Sequence, residues 1–276
     1  MRMSVIQMSP GADKAQNIAQ ARALIEGAIA AEKPDLIALP EMWTCLGGSR
    51  EHKFVTAELL PAHGETGGPA YEFLREMAET NGVHIHGGSI SELAGDKLYN
   101  TTVVFSPVGV EIARYRKIHL FDITTPDGQG YRESATFGAG DKVVTCHIGA
   151  THIGLAICYD LRFPELFLAL RRKNVDLIVL PAAFTLQTGK DHWEVLLRAR
   201  AIESQCWFAA PACTGTHHDA DGEPRVTYGH SMIIDPWGHV VAKASDGIGW
   251  TTARIDKTYM ARVRANMPVL EHRKLV

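Results

Sequence analysis

Apolar residues in the first half of the chain recur with two alternating periods, which predict helices and strands in turn. Ile18, Ala21 and Ile25 follow helical spacing, so residues 17–31 are predicted to form an amphipathic helix. Residues 35–40 are continuously apolar after an aspartate and end at a proline, which is typical of a strand buried on both faces. The other elements predicted in this half are a strand over 1–7, a helix over 71–80, a strand over 83–89 and a hairpin of 99–106 with 111–117.

The second half of the chain repeats this alternation. Residues 176–181, Asp-Leu-Ile-Val-Leu-Pro, resemble residues 35–40, Asp-Leu-Ile-Ala-Leu-Pro. The similarity favours an internal two-fold in which each half supplies one sheet covered by helices, and chance likeness of two buried strands is the alternative. No linker divides the chain, so one α/β domain over 1–276 is expected. The elements predicted here are strands over 152–158, 175–181, 206–212 and 249–255, helices over 163–173, 193–205 and 257–266, and a hairpin over 231–244.

Composition narrows the class of protein. The 276 residues include 28 Lys and Arg against 31 Asp and Glu, a formal charge of -3. The basic excess that attracts nucleic acid or a membrane surface is therefore missing. The longest apolar runs fall far short of the ~18 residues that a transmembrane helix needs. We therefore expect a small-molecule partner, with no nucleic acid and no membrane.

The start of the chain and its cysteines predict the compartment. Residues 1–7 lack the apolar region and the cleavage site of a signal peptide. The five cysteines are odd in number, widely spaced and contain no CxxC pair. This pattern favours free thiols in a reducing compartment, so the predicted location is the cytoplasm.

Several common functional motifs are absent from the sequence. It contains neither of the glycine-rich motifs that bind phosphates, and Ser231 lacks the second glycine of a nucleophile elbow. The thirteen histidines include no H-E-x-x-H; His84 and His86 share one face of a predicted strand, and His217 lies in a polar loop. The sequence therefore predicts neither a metal nor another cofactor.

Three separated residues stand out as candidates for chemistry. Cys158 ends a buried strand just before a predicted helix, where helix amides and nearby cations are expected to favour the reactive thiolate. Glu41 directly follows the apolar strand over 35–40, and a carboxylate there is costly unless it has partners or a task. Lys117 ends a predicted hairpin and precedes an apolar run. Two of these residues, taken singly, have an alternative interpretation. Cys158 could be an inert core cysteine, and Lys117 could belong to a solvated basic surface.

The segments around these residues resemble, in order, the three catalytic blocks of the nitrilase (carbon-nitrogen hydrolase) superfamily. They are residues 39–41 (Leu-Pro-Glu), 116–122 (Arg-Lys-Ile-His-Leu-Phe-Asp) and 154–165 (Gly-Leu-Ala-Ile-Cys-Tyr-Asp-Leu-Arg-Phe-Pro-Glu). The similarity extends over essentially the whole chain, and its later segments resemble the branch that contains deaminated glutathione amidase and omega-amidase. True nitrilases carry Trp-Glu after the cysteine, whereas this chain has Tyr159-Asp160, which argues against nitrile hydrolysis.

The resemblance implies a four-layer α-β-β-α sandwich and a homodimer that pairs through helices next to the active site. It also implies that Glu41 takes the proton of Cys158, that Cys158 attacks an amide carbonyl, and that Lys117 and the backbone N–H after the nucleophile stabilise the oxyanion. Glu133 matches the second carboxylate of the family, which orients Lys117 and the substrate; an exposed loop acid is the alternative.

The reaction expected from the resemblance is hydrolysis of a small carboxylate-bearing amide, similar to deaminated glutathione, through a thioester and with release of ammonia. Arg162 is expected to bind the substrate carboxylate, with pairing to Asp160 or Glu165 as the alternative. The other candidate substrate-binding residues are Tyr159, His192 and Glu194. Three other functions stay open: an omega-amidase acting on alpha-ketoglutaramate, an N-carbamoyl amide hydrolase, and a catalytically silent interaction protein of the same fold.

Overall fold

A computed structural model describes residues 1–62, 65–125, 128, 130–218 and 224–275. The helices in this part of the chain are α1 (Lys14–Glu32), α2 (Arg50–Thr56), α3 (Pro69–Asn81), α4 (Pro164–Arg172), α5 (Leu186–Thr188), α6 (Glu194–Ser204), α7 (Lys257–Asn266) and α8 (Val269–His272). The first nine strands are β1 (Arg2–Gln7), β2 (Leu36–Ala38), β3 (His84–His86), β4 (Ile90–Ala94), β5 (Lys97–Phe105), β6 (Glu111–Arg116), β7 (Asp122–Thr124), β8 (Gly130–Arg132) and β9 (Phe137–Gly138). The remaining strands are β10 (Thr145–Ile148), β11 (Thr151–Leu155), β12 (Leu177–Val179), β13 (Trp207–Ala210), β14 (Thr214–His217), β15 (Arg225–Tyr228), β16 (Met232–Ile234), β17 (Val240–Lys243) and β18 (Gly249–Arg254).

Most of the strands form two sheets. The first sheet has the order β18-β1-β2-β3-β5-β4, with β6 and β9 also paired to β5, and the second has the order β10-β11-β12-β13-β16-β17. Each sheet contains three neighbouring parallel strands, β1-β2-β3 in one and β11-β12-β13 in the other. Two short hairpins, β7 with β8 and β14 with β15, pair separately from both sheets.

The two sheets pack face to face, and helices cover their outer faces. Alternate residues of β2 show this, because Leu36 and Ala38 belong to the core shared with the second sheet, whereas Ile37 packs with helices α1 and α3. On the other side, Phe167 of α4 contacts Phe208 of β13 with ring centroids 5.6 Å apart. The layers are therefore α1 and α3, the first sheet, the second sheet, and α4 with α6, which confirms the predicted α-β-β-α sandwich.

The two similar sequence segments occupy equivalent places in the two sheets. Asp35 accepts a hydrogen bond from the backbone N–H of Arg2 (2.7 Å) and Asp176 accepts one from the N–H of His152 (2.9 Å). Each aspartate thereby joins the start of the central parallel strand to the start of its neighbour. The internal two-fold has one exception, because β18 comes from the end of the chain and pairs antiparallel with β1 in the first sheet. The prediction that each half supplies its own sheet is wrong for that strand.

The elements that were predicted agree with the structure to within a few residues, but several elements were not predicted, some of them inside the sheets. Helix α7 has the predicted bounds, while α1 begins three residues earlier because Asp13 caps it through its side chain. The sheet strands β4, β9 and β10, helix α2 and the hairpins β7–β8 and β14–β15 were not predicted. Residues 219–223 of the loop between β14 and β15 lie outside the described residues. Among the described residues, no helix combines the length and the apolarity that crossing a membrane requires.

Candidate active site

Four of the predicted site residues meet where strands end. Glu41 lies three residues after β2, and Lys117 directly follows β6. Cys158 was predicted to end a strand. It instead begins a turn of 3₁₀ helix, Cys158–Arg162, three residues after the end of β11. Glu133 begins a second 3₁₀ turn, Glu133–Ala135. Because the carboxyl ends of parallel strands share one edge of a sheet, the stacked sheets bring Glu41 and Cys158 together.

Lys117 is enclosed between two carboxylates. Its Nζ lies 2.9 Å from Oε1 of Glu41 and 2.8 Å from Oε2 of Glu133, and its side chain is only 2% exposed. Asn100 donates its Nδ2 to both acids, at 2.9 Å to Glu41 and 3.2 Å to Glu133. The other oxygen of Glu41 accepts a hydrogen bond from the backbone N–H of Ala183 at 2.8 Å. Every polar atom of this ion pair therefore has a partner, as burial of charge requires.

Glu133 also fixes the loop that carries it. Its Oε2 accepts a hydrogen bond from the backbone N–H of Phe121 at 2.7 Å, in addition to its contacts with Lys117. The alternative of an exposed loop acid is therefore wrong, because this carboxylate is directed inward at the lysine.

Cys158 is held in an unusual backbone conformation. Its φ is +46°, in the left-handed region that residues with a side chain seldom adopt. The turn is fixed by Asp160, which is fully buried and accepts hydrogen bonds from the N–H of Ile157 (2.8 Å), the hydroxyl of Tyr115 (2.7 Å) and the N–H of His119 (3.0 Å). Backbone strain held by such a network is typical of functional sites.

The charges of the site depend on one another. Burial acts to raise the pKa of Glu41, but the Lys117 ammonium and the hydrogen bonds from Cys158 and Lys117 outweigh it and lower that pKa. Burial acts to lower the pKa of Lys117, and the carboxylates of Glu133 and Glu41 raise it well above its ordinary value. Burial and then the Glu41 carboxylate raise the pKa of Cys158 well above its ordinary value.

The resting site therefore contains a carboxylate, an ammonium and a neutral thiol. The expectation that nearby cations favour the thiolate of Cys158 is wrong, because burial and the adjacent Glu41 carboxylate outweigh the effect of Lys117. A thiol hydrogen-bonded to a carboxylate is the arrangement in which a base removes the proton as the sulfur attacks.

These residues form the floor of a cleft with a volume of about 180 Å³. Its aromatic walls come from Phe121, Tyr131, Phe137 and Phe184. Arg162 also lines it and lies over the rings of Tyr159 (5.7 Å) and Phe184 (5.4 Å). The volume suits a small molecule with a few polar groups.

Of the four predicted substrate-binding residues, three lie at or beside the cleft and one lies away from it. The Nη1 of Arg162 lies 3.3 Å from Nδ1 of His192, which is exposed beside the cleft, and the structure supports neither alternative partner of this arginine. The ring of Tyr159 lies under the guanidinium of Arg162 and contacts the ring of Phe121. Glu194 is not brought to the site, because its carboxylate pairs with Lys243 at 2.9 Å on the surface of α6.

Sequence reasoning missed several residues of the cleft, three of which contact Glu41 or its neighbours in the site. Asn100 lies in β5 as a buried polar residue among apolar neighbours, and that contrast is a usable signal. Arg225, at the start of β15, lines the cleft, but its place in an irregular segment gave no sign of this. Ala183 contributes through its backbone, which the sequence does not reveal. In the described part of the chain, no group of three or more His, Cys, Asp or Glu side chains is arranged to hold a metal ion.

A four-layer sandwich with a cysteine, a lysine and two glutamates at the meeting edges of its sheets belongs to the class of nitrilase-type hydrolases. Residues 2–265 match the carbon-nitrogen hydrolase family, and the chain is a member of that family. It is therefore an enzyme that hydrolyses carbon-nitrogen bonds, which excludes the silent interaction protein, and its relatives mark it as an amidase.

Several curated relatives are similar over nearly the whole chain. A deaminated glutathione amidase of Synechocystis sp. (strain PCC 6803 / GT-S) is 42% identical, with 99% of this chain and 98% of the relative covered. Omega-amidase NIT2 of Xenopus tropicalis is 36% identical, with 99% and 95% covered. The crystal structure of Saccharomyces cerevisiae Nit3, a member of branch 10 of the nitrilase superfamily, matches with a TM-score of 0.88 and 29% identity, covering 100% of this chain and 97% of that one.

Proposed function

We propose that the enzyme hydrolyses a small amide bearing a carboxylate, with deaminated glutathione as the preferred test compound and Cys158 as the nucleophile. The observation that carries this proposal is the enclosed contact of Glu41 with both Lys117 and the Cys158 thiol. The names of the Synechocystis and other relatives supply the compound.

In the first half of the proposed reaction, the thiol proton moves to Glu41 as Sγ of Cys158 attacks the amide carbonyl carbon. The oxyanion that forms is stabilised by the Lys117 ammonium and by the backbone N–H of Tyr159, at the start of the 3₁₀ turn where amides lack helical partners. Glu41 then returns the proton to the amide nitrogen, the C–N bond breaks, and the acyl group remains as a thioester.

In the second half, Glu41 takes a proton from water as the water oxygen attacks the thioester carbon. Lys117 again stabilises the oxyanion, the C–S bond breaks, and the proton returns to the sulfur, which restores the thiol. Glu133 holds the ammonium in place through both halves, because its two oxygens lie 2.8 and 3.1 Å from Nζ of Lys117. The substrate and water suffice, so no cofactor is proposed.

The nitrogen product depends on the substrate. Both amide nitrogens of deaminated glutathione carry a carbon substituent, so cleavage of either releases an amine. Ammonia release applies to primary amides such as alpha-ketoglutaramate. An assay of this enzyme must therefore follow both primary amine and ammonia.

The alternatives differ in what they release. The similarity to omega-amidase NIT2 favours alpha-ketoglutaramate as a second candidate substrate. An N-carbamoyl amide hydrolase would release carbon dioxide with ammonia, which a carbonate assay detects.

The test is turnover by the purified enzyme with deaminated glutathione, alpha-ketoglutaramate and an N-carbamoyl amino acid, beside a Cys158→Ala control. We expect amine release from the first compound, slower ammonia release from the second, and no turnover by the variant. Failure to cleave either of the first two compounds would refute the proposed substrate class, and full activity in Cys158→Ala would refute the mechanism.

We also propose that the enzyme acts as one domain, as a homodimer, in the cytoplasm. The family resemblance supports pairing through the helices beside the site, and Val195 and Ile202 of α6 are exposed apolar residues there, at 67% and 43%. Sedimentation of the wild type and of Val195→Asp tests this, with a dimer expected for the first and a monomer for the second.

A further inference from the structure

The cleft carries more positive than negative charge. Among the described residues that line it, five side chains are cationic and two are carboxylates. The Lys117 ammonium is balanced by the two carboxylates, so it adds no net positive charge that a substrate carboxylate would have to balance. The other four cations form no ion pair within the described residues; they are Lys53, Arg132, Arg162 and Arg225. A single substrate carboxylate does not balance this charge, which favours a ligand with two.

Arg225 is the most firmly placed of these cations near the reacting groups. Its Nη2 donates to the carbonyl oxygen of Ala183 at 2.7 Å, and its Cζ lies 5.5 Å from the ring centroid of Tyr131. Ala183 and Tyr131 both line the cleft, so the guanidinium lies between two parts of its wall. Its Nε is enclosed and finds no hydrogen-bond partner among the described residues. Because Nε is enclosed and Nη2 donates to Ala183, the donors of this guanidinium that are left for a ligand among the described contacts are those of Nη1 and the second N–H of Nη2.

The position of Arg225 relative to Glu41 indicates which part of a substrate it meets. Ala183 joins the two residues, since its N–H donates to Glu41 and its carbonyl accepts from Arg225. The positive charge of Arg225 also contributes to lowering the pKa of Glu41. In the proposed reaction Glu41 delivers a proton to the leaving nitrogen, so the leaving group lies on the side of Glu41.

We propose that Arg225 forms a subsite for a carboxylate on the leaving amine, so that the enzyme prefers amides whose amine product is itself an acid, as a dipeptide is. This inference rests on the proposed function and adds a second recognition element to it. A planar guanidinium binds a carboxylate through two parallel N–H···O bonds, which gives both affinity and orientation.

Arg162 lies on the other side of the nucleophile and takes a different role. It follows Cys158 by four residues and lies over the rings of Tyr159 and Phe184, with exposed His192 beside it. It is placed for the carboxylate of the acyl half, which stays in the site as the thioester. The two arginines therefore bind opposite ends of a substrate that has a carboxylate at each end, Arg162 the acyl end and Arg225 the amine end.

The experiment compares three substrates with the same acyl half: deaminated glutathione, its C-terminal carboxamide, and alpha-ketoglutaramate. Only the first has a carboxylate on the leaving side. We expect Arg225→Gln to reduce kcat/KM for deaminated glutathione by about 10- to 100-fold, mainly through KM, as loss of a charge-assisted hydrogen bond predicts. With the other two substrates the loss in kcat/KM should be at least about ten-fold smaller and should reflect only the link of Arg225 to Glu41 through Ala183, so the preference for the acid over the carboxamide disappears.

Two further variants make the result specific. Arg225→Lys keeps the charge but loses the planar fork, so an intermediate loss is expected with deaminated glutathione. Arg114→Gln is the matched control, because Arg114 also donates to a backbone carbonyl, that of Pro61 at 2.9 Å, outside the cleft. It should leave the ratio of the acid to the carboxamide unchanged.

Two results would overturn the proposal. If Arg225→Gln lowers kcat/KM equally for all three substrates, Arg225 is a positioning residue for Ala183. If the variant leaves the ratio of kcat/KM for the acid to that for the carboxamide unchanged, Arg225 does not bind the carboxylate. A binding measurement tests the subsite without turnover, so its result does not depend on the proposed reaction. In the Cys158→Ala background, calorimetry should show weaker binding of the carboxamide than of the acid, and Arg225→Gln should remove that difference. Absence of wild-type turnover would refute the proposed function, and the affinity ratio would still decide on the subsite.

Discussion

Oε1 of Glu41 and Nζ of Lys117 lie 2.9 Å apart although 76 residues separate them in the chain. The side chains are 5% and 2% exposed, so the pair is almost completely removed from water. Two charges buried in this way are stable only as a set, because each one alone would be costly to enclose. The site is therefore one electrostatic unit, and changes at either residue alter the other.

Lys117→Ala is expected to lose at least about 10²- to 10³-fold in kcat, because an oxyanion donor is removed. The same change leaves Glu41 and Glu133 buried without their cation, so the free energy of unfolding should fall by about 3–5 kcal/mol. Denaturant unfolding and steady-state kinetics measure the two effects. Lys243→Ala, which removes the surface salt bridge to Glu194 between side chains that are 36% and 38% exposed, serves as a comparison and should cost less. Equal losses in the two variants would contradict the prediction.

Glu41→Gln should abolish turnover and yet make Cys158 more acidic. Burial raises the pKa of this thiol first and the Glu41 carboxylate second, while Lys117 acts to lower it. Removing the carboxylate leaves Lys117 to favour the thiolate, so the titration curve of thiolate absorbance moves to lower pH than in the wild type. A curve that stays in place or moves to higher pH would show that Glu41 does not control the thiol.

The five cysteines are all buried, but only Cys158 is expected to matter for activity. Cys158→Ala should eliminate thioester formation while leaving the thermal midpoint within a few degrees of the wild type. Cys146→Ala is the control, because burial raises the pKa of Cys146 to about 12 and this residue lies in β10, at the edge of the second sheet. Mass spectrometry of the enzyme quenched during turnover detects the acyl adduct, which should be present in Cys146→Ala and missing in Cys158→Ala.

Asp160→Asn should disturb both folding and catalysis. The carboxylate accepts hydrogen bonds from two backbone N–H groups and the Tyr115 hydroxyl. Replacing one of its oxygens by NH₂ places a donor opposite one of these donors inside the core, where neither finds an acceptor. We expect a loss of about 2–3 kcal/mol in unfolding free energy and at least a ten-fold fall in kcat. Tyr115→Phe removes a single donor to Asp160 and should cost about 1 kcal/mol. A fully active Asp160→Asn would show that the turn carrying Cys158 does not depend on this network.

Acid should destabilise the protein through the buried carboxylates. Burial opposes the shift at Glu92, but the hydrogen bonds from Arg116 and Thr101 lower its pKa below 4.5, and the pKa of Glu41 is lowered as well. A lowered folded-state pKa gives stability that is present above the unfolded value and is lost as pH falls through the folded one. The free energy of unfolding should therefore be level above pH ~5 and decline below ~4.5. Glu92→Gln should show a shallower decline, and an identical profile would count against the prediction.

The layered fold was predictable because its signals are local. The buried strands β2 and β12 follow from continuous apolar runs ended by proline, and α7 follows from helical spacing after the capping Asp256. The pairing of β18 with β1 was not predictable, since two strands at opposite ends of the chain pair through their backbones and leave no mark in the side-chain pattern. The hairpins β7–β8 and β14–β15 were missed because their strands are short and polar.

The candidate site divides in the same way. The sequence by itself pointed to Glu41, Lys117 and Cys158, because a charge or a thiol beside an apolar segment is costly without a partner or a task. Glu133 was indicated only by the resemblance to the family, since it follows no apolar strand. Only the tertiary structure decided that the Cys158 thiol is neutral at rest, that Glu194 lies outside the site, and that Ala183 and Arg225 belong to it. The physical reason is that a pKa, an ion pair and a hydrogen bond to a backbone depend on distances across two sheets, and a linear sequence does not contain those distances.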